Sequence, residues 1–243
     1  MTANPSPETI YRHTRVVRIA HWINALCFLL LLMSGLQIFN AHPALYWGQS
    51  GNDYDTPWFE ISGFPWTITL PGWRDLAAGR NWHFFLAWAL VINGITYIAF
   101  SIANRHFARD ILPEKREFEL AHLWEEVVHH AQFKRITGPA AKRYNTLQKF
   151  AYVAVIFVLL PGIVLTGLTM SPGFNAIAPF LLDLFGGRQS ARSIHFICAN
   201  LLVLFLVIHL VEVVVAGAWN EIRSMITGKF VVPQEPATAE DSQ

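Results

Sequence analysis

Residues 193–217 read SIHFICANLLVLFLVIHLVEVVVAG and are long and apolar enough to cross a bilayer, which takes about 20 mostly apolar helical residues. The stretch nevertheless contains two histidines, His195 and His209, 14 residues apart. Fourteen residues are just under four helical turns, so both imidazoles leave one side of the helix, about 21 Å apart along its axis. Ionisable groups inside a membrane segment are costly and usually mark function. Two neutral imidazoles stacked through a bilayer suit the axial ligation of two haems.

The composition excludes an ordinary soluble domain. The chain has 243 residues, 53% of them hydrophobic and 14% charged, with a mean hydropathy of +0.34. Hydropathy predicts four membrane helices, over residues 17–39, 82–103, 148–170 and 193–217. We therefore predict an all-α fold, an integral membrane four-helix bundle with two b haems held between its helices. Residues 1–230 form this domain, and residues 231–243 are expected to be a disordered cytoplasmic tail.

Two further features restrict how haem can be attached to the chain and whether its N-terminus is cleaved. Cys27 and Cys198 lie inside apolar runs and the sequence contains no C-x-x-C-H, which excludes covalent c-type haem attachment. No small-residue cleavage site follows the first apolar run, so we interpret that run as a retained helix and not as a signal peptide.

The distribution of basic residues predicts the orientation. Fourteen of the 18 lysines and arginines fall in the two ends of the chain and the 104–149 region, and only Arg74, Arg80, Arg188 and Arg192 lie on the other side. The positive-inside rule then places both termini in the cytoplasm. We expect a multi-pass protein of the bacterial cytoplasmic membrane, in contact with lipid and without a nucleic-acid partner.

Four of the ten histidines lie in predicted membrane helices, and their depths match in pairs. His21 and His209 fall in the cytoplasmic half, whereas His83 and His195 begin their helices at the outer face. Unrelated core histidines have no reason to form two matched levels. We predict two bis-histidine haems, an inner one on His21 and His209 and an outer one on His83 and His195. The six loop histidines are expected to be solvated.

An arginine precedes three of these histidines by three residues, at Arg18, Arg80 and Arg192. Residues three apart share a helix face, and arginine pairs well with carboxylates, so these side chains are candidate partners of the haem propionates. For each arginine taken alone, the alternative is that it simply flanks a membrane helix. Gly35, 14 residues after His21, is a candidate for close approach of a macrocycle edge, or for helix packing.

These residues resemble a known family, the four-helix di-haem cytochrome b subunits of nickel–iron hydrogenases, formate dehydrogenases and thiosulfate reductases. The resemblance covers about residues 12–230. Its most specific parts are R-x-x-H-W at 18–22, Trp82-His83 and the 14-residue histidine spacing. The stretches RDILP at 109–113, TGLTMSP at 166–172 and MITG at 225–228 are most similar to the thiosulfate-reductase branch.

The resemblance implies a membrane subunit of a respiratory chain that relays electrons between the quinone pool and a periplasmic redox subunit. By analogy that partner is a molybdopterin enzyme. Bis-histidine ligation makes each iron a relay and not an oxygen-activating centre. We therefore expect no catalytic residue in this chain. We expect quinone to bind as a substrate.

Two other functions stay open from the sequence. The chain alone could be a membrane quinone reductase that oxidises superoxide or another small donor at the outer face, in which case the purified chain would be active without a partner. It could also be a transporter or plain anchor without haem, which a visible absorption spectrum would reveal at once.

Overall fold

The computed structural model describes residues 8–51, 55–132 and 137–234. Four helical segments are long and apolar enough to cross a membrane, as predicted from hydropathy. They are Arg15–Phe39, Leu76–Ala103, Thr146–Thr169 and Arg188–Thr227. The shortest has 24 residues, or about 36 Å of helix, against a hydrocarbon thickness of about 30 Å. The all-α membrane architecture is therefore confirmed.

The described residues form four short strands and eight α-helices. The strands are β1 (Thr9–Tyr11), β2 (Ala44–Leu45), β3 (Phe59–Glu60) and β4 (Lys229–Val231). The helices are α1 (Arg15–Phe39), α2 (Leu76–Ala103), α3 (Leu120–Ala131), α4 (Thr146–Ala154), α5 (Leu160–Thr169), α6 (Pro172–Ile177), α7 (Phe180–Leu184) and α8 (Arg188–Thr227). Three 3₁₀ turns (Trp66–Ile68, Lys115–Phe118, Gly138–Lys142) and two π-helical turns (Phe107–Ile111, Val155–Leu159) complete the described chain.

Small polar side chains, and not large apolar ones, occupy most of the fully buried positions. At most 11% of the residues in the most apolar window of any membrane helix are buried within the chain. Lipid solvates the remaining apolar side chains at no cost, and helices in a membrane approach each other through small residues. The fully buried set accordingly includes Ser34, Ser101, Thr166, Thr169 and Ser193.

All four membrane helices begin earlier than hydropathy predicted, the second and the fourth by five residues or more. The second starts at Leu76 and not at 82, because Asp75 Oδ1 accepts the backbone N–H of Ala78 at 2.9 Å and caps the helix. His83 consequently lies in the second turn and does not open the helix. The fourth runs over Arg188–Thr227, and the predicted end at Gly217 is an interruption with φ 109°.

The third membrane segment is irregular at its centre. The π-helical turn Val155–Leu159 joins α4 to α5, and Pro161 stands in the first turn of α5. Proline lacks the N–H that a regular helix would donate one turn back, and π-turns are a usual response to such an interruption.

The contacts divide the chain into two compact units. The terminal unit comprises Met1–Ile19, Ala99–Val153 and Phe205–Gln243, and the central unit comprises Ala20–Ile98 and Ala154–Leu204. In the terminal unit β1 pairs antiparallel with β4, and Phe230 is buried against Ala141 and Val232. The predicted tail begins at residue 231, and its first residue, Val231, pairs with Thr9 in this sheet. Residues 235–243 of the predicted tail lie outside the described residues.

Candidate haem site

His83 of α2 and His195 of α8 face each other within the central unit. Their ring centroids are 6.2 Å apart and the ring planes are inclined by 58°. The two residues are 112 positions apart in sequence, so it is the packing of α2 and α8 that brings their rings together. The structure thus unites the two histidines that the sequence assigned to the outer level.

The His83 ring is held by α1. Its Nδ1 lies 3.0 Å from the hydroxyl of Ser34, a fully buried side chain. The same hydroxyl lies 2.9 Å from the carbonyl of Leu30 and 3.1 Å from that of Leu31. With its one proton donated to these carbonyls, Ser34 Oγ can accept the N–H of the imidazole.

The His195 ring is held in the same way by α5. Its Nδ1 donates to the carbonyl of Ile163 at 2.9 Å and lies 3.2 Å from the hydroxyl of Thr166. Thr166 Oγ1 donates to the carbonyl of Gly162 at 2.7 Å. Because a carbonyl accepts only, Nδ1 of His195 must carry the ring proton. In both histidines Nε2 is then the unprotonated nitrogen, the form that binds a metal.

The spacing of the two rings fits a single metal between them. Two imidazoles that bind one metal from opposite sides, each through a bond of about 2.0–2.1 Å, place their centroids about 6.3 Å apart. The observed separation is 6.2 Å. The described residues contain no group of three or more His, Cys, Asp or Glu side chains that could hold a metal ion. A pair of neutral imidazoles is the donor set that bis-histidine haem requires.

Glycine stands next to each hydroxyl residue. A Cβ at Gly35 would lie 3.6 Å from Cε1 of His83, and a Cβ at Gly167 would lie 3.3 Å from Cε1 of His195. Gly35, predicted to admit a macrocycle edge, is placed by the structure against an imidazole. A methyl group at Gly167 would press on the ring, whereas one at Gly35 would meet it in ordinary contact.

The three arginines have protein partners in the structure. Arg192 donates to the carbonyls of Ala44, at 2.9 Å, and His42. Arg18 donates to the carbonyl of Ile226, and the Arg80 guanidinium lies 5.8 Å from the ring centre of Phe84. Their role toward propionates stays a prediction.

His21 and His209, the two predicted inner ligands, belong to different units, and each has contacts within its own unit. His21, in the central unit, meets the Trp22 ring edge-on at 5.1 Å. His209, in the terminal unit, stacks on Phe205 at 5.9 Å with an interplanar angle of 15°. Their pairing stays a prediction that rests on the sequence.

Some loop histidines are less solvated than predicted. His13 is 7% exposed and stacks on Tyr144 at 6.4 Å. His122 Nε2 lies 2.9 Å from the hydroxyl of Thr146. No local pattern indicates this burial, because the packing of the connections onto the helix ends brings distant residues together.

A largely buried ion pair accompanies His122 in the terminal unit. Lys149 Nζ lies 2.9 Å from both carboxylate oxygens of Glu117, and the hydroxyl of Thr146 donates to the same carboxylate at 3.2 Å. Burial by itself would raise the pKa of Glu117, but the backbone N–H of Glu114 and the Lys149 ammonium outweigh it and hold that pKa below its usual range.

Comparison with known proteins finds relatives among cytochromes and redox-enzyme subunits. A sequence model described as prokaryotic cytochrome b561 matches residues 12–228. The chain is 30% identical over 208 residues to a putative protein-methionine-sulfoxide reductase subunit YedZ1 of Azospira oryzae, covering 86% of this chain and 92% of that one. It is 22% identical over 241 residues to a probable Ni/Fe-hydrogenase B-type cytochrome subunit of Cupriavidus necator, covering 94% and 89%.

A putative cytochrome YdhU of Escherichia coli is 30% identical over 234 residues, which cover 93% of this chain and 77% of that one. No solved structure matches the chain.

Proposed function

The chain belongs to the prokaryotic cytochrome b561 family, and from this premise we propose that it relays electrons through two haems between the quinone pool and a periplasmic redox subunit. The family binds b-type haem and includes membrane subunits of redox complexes. The predicted resemblance to cytochrome b subunits is therefore confirmed, and the proposal concerns the number of haems, their ligands and the two partners of the relay.

The facing pair His83 and His195 carries the proposal. Both rings have Nδ1 engaged by protein acceptors, which leaves Nε2 of each as the nitrogen for a metal, and the two ring centroids are 6.2 Å apart. When bound there, haem supplies one-electron oxidation and reduction, and two protein ligands leave no open position for a substrate on the iron. The helices then serve to fix the two imidazoles and to keep water from them.

The inner site is proposed from the sequence. His195 and His209 share α8 and are 14 residues apart, which corresponds to about 21 Å of rise. One iron cannot bind both. His21 is the membrane-helix histidine that remains for His209, and the two-level arrangement provides one haem near each membrane surface.

The names of the relatives support a redox partner. One is named as a subunit of a methionine-sulfoxide reductase and another as a hydrogenase cytochrome subunit. For this chain we propose a periplasmic subunit of the molybdopterin type, docked on residues 40–81, which we call the tryptophan loop. Four of its tryptophans are exposed, namely Trp47, Trp58, Trp66 and Trp73, and tryptophan is enriched in protein interfaces. Quinone is the proposed partner within the membrane, which is the bacterial cytoplasmic membrane with both termini inside.

Proteoliposomes provide the test of the relay. The purified full chain, reconstituted without a partner, is mixed with a membrane-soluble quinol under argon, and the absorbance of reduced b haem is followed. We expect reduction of both haems, followed by reoxidation when a membrane-impermeant oxidant is added at the outer face. Haems that quinol does not reduce, or a chain that contains no haem, would contradict the proposal. The His195→Ala variant is the matched control and should retain only the inner haem.

A further inference from the structure

The first and third membrane helices present the same arrangement to the two facing histidines. On α1 a hydroxyl residue, Ser34, precedes Gly35 and contacts His83. On α5 a hydroxyl residue, Thr166, precedes Gly167 and contacts His195. The His195 imidazole also donates to the backbone carbonyl of Ile163, three residues before the hydroxyl.

We propose that Ser34 and Thr166 are positioning residues that set the ring orientation and donor strength of His83 and His195, and through them the potential of the outer haem. The inference rests on the proposed function, because it concerns the same pair of ligands. It assigns a task to the third membrane helix, which contains no histidine of its own. Neither hydroxyl would touch the haem; each acts through an imidazole.

The direction of the effect follows from the hydrogen bonds. Each hydroxyl directs its own proton to a carbonyl of its helix, so its oxygen faces the imidazole as an acceptor. An acceptor on Nδ1–H fixes the tautomer and makes the ligand more basic. A more basic ligand favours ferric over ferrous iron, because ferric iron has the higher charge. Removal of either hydroxyl should therefore raise the midpoint potential of the outer haem.

Other buried hydroxyls in these helices lack this arrangement. Thr169 is as buried as Thr166, on the same helix, and its hydroxyl donates at 2.6 Å to the carbonyl of Thr166. Ser224 on α8 is also fully buried and donates at 2.8 Å to the carbonyl of Glu221. Hydroxyls in membrane helices bond to their own backbone in this way without needing an imidazole. The contacts of Ser34 and Thr166 with histidine are thus an additional feature, and Thr169 is a matched control.

The glycines complete the arrangement with a steric requirement. A methyl group at Gly167 would lie 3.3 Å from the His195 ring, closer than ordinary contact, whereas one at Gly35 would lie 3.6 Å from the His83 ring. Gly167→Ala should therefore turn or displace its imidazole, and Gly35→Ala should do so less. The ligand planes, now inclined by 58°, determine the anisotropy of the ferric low-spin signal, because non-parallel planes leave two iron d orbitals nearly equal in energy.

The test compares redox titrations and ferric EPR spectra of the purified full-length protein. The variants are Ser34→Ala, Thr166→Val, Thr166→Ser and the control Thr169→Val. For Ser34→Ala and Thr166→Val we expect the midpoint potential of the outer haem to rise by about 59 mV. For a one-electron couple this corresponds to about a tenfold shift of the ferric–ferrous equilibrium toward the ferrous form. Thr166→Ser, which keeps the hydroxyl, and Thr169→Val should titrate as the unmodified protein does, and the inner haem should be unchanged throughout.

The inference is overturned if Ser34→Ala and Thr166→Val shift neither the outer midpoint nor the EPR signal more than Thr169→Val does. If Thr166→Val loses the outer haem, Thr166→Ser decides: a normal outer midpoint supports the role of the hydroxyl, and loss of the haem contradicts it. Failure of the proposed function looks different, because His195→Ala would then leave both redox transitions of the protein in place.

Discussion

Trp58 donates its indole N–H to the hydroxyl of Ser193, two residues before His195, at 2.8 Å. Ser193 is fully buried and donates in turn to the carbonyl of Tyr46 at 2.6 Å. The tryptophan loop is therefore fastened directly to the turn of α8 that precedes a predicted haem ligand.

This bond makes Trp58 a structural residue as well as a surface one. We expect Trp58→Phe to leave both haems bound but to lower the free energy of unfolding by about 1 kcal/mol, the usual net contribution of one hydrogen bond. The measurement is a melting curve followed by the haem absorbance. Trp47→Phe is the control, because Trp47 stacks on Trp58 at 5.5 Å and its replacement keeps an aromatic ring there. Equal melting temperatures for both variants would argue against the bond.

Docking is better tested at Trp66 and Trp73, whose side chains are exposed. Replacing both with serine should weaken co-purification with the periplasmic partner about tenfold or more, since exposed aromatic side chains are frequent hot spots. The haem spectrum should be unaltered. Undiminished co-purification would remove the tryptophan loop from the docking surface, and a lost spectrum would show that these side chains stabilise the fold.

The orientation is tested by reporters active on one side only. A reporter fused after Gln243 should remain cytoplasmic, and one inserted near Asn52 should be periplasmic, because most basic residues fall on the side of the termini. Both positions lie outside the described residues. A periplasmic C-terminus would reverse the inner and outer haems.

Glu117 and Lys149 predict a pH dependence of stability. The folded-state pKa of Glu117 is lowered, so its charged form stabilises the fold above its unfolded pKa of about 4.3, and this contribution is lost as the pH falls through the folded pKa. Glu117→Gln should destabilise by on the order of 1–3 kcal/mol at neutral pH, because it leaves a buried ammonium poorly satisfied.

The melting temperatures of Glu117→Gln and the unmodified protein should converge as the pH falls below about 4. Glu125→Gln changes an exposed carboxylate and is the control. A difference that stays constant from neutral to acidic pH would contradict the ion-pair explanation.

Hydropathy was sufficient for the four helices, and depth matching for the pair His83 and His195, whose rings the structure brings together. They could not locate Ser34 and Thr166 as neighbours of the imidazoles, because that contact depends on how each helix is rotated about its axis. The dipeptides Ser34-Gly35 and Thr166-Gly167 were the available signal. The pairing of β4 with β1, and the burial of His13, depend on contacts between distant parts of the chain and left no local pattern.

The pairing of ligands is the central claim, and potentiometric titration of single histidine variants tests it most directly. His83→Ala and His195→Ala should each abolish the same outer-haem transition and keep the inner one, because these rings face each other at 6.2 Å. His21→Ala and His209→Ala should do the converse. If His83→Ala and His195→Ala removed different transitions, or if neither removed one, the two histidines would not share an iron and the account would be wrong.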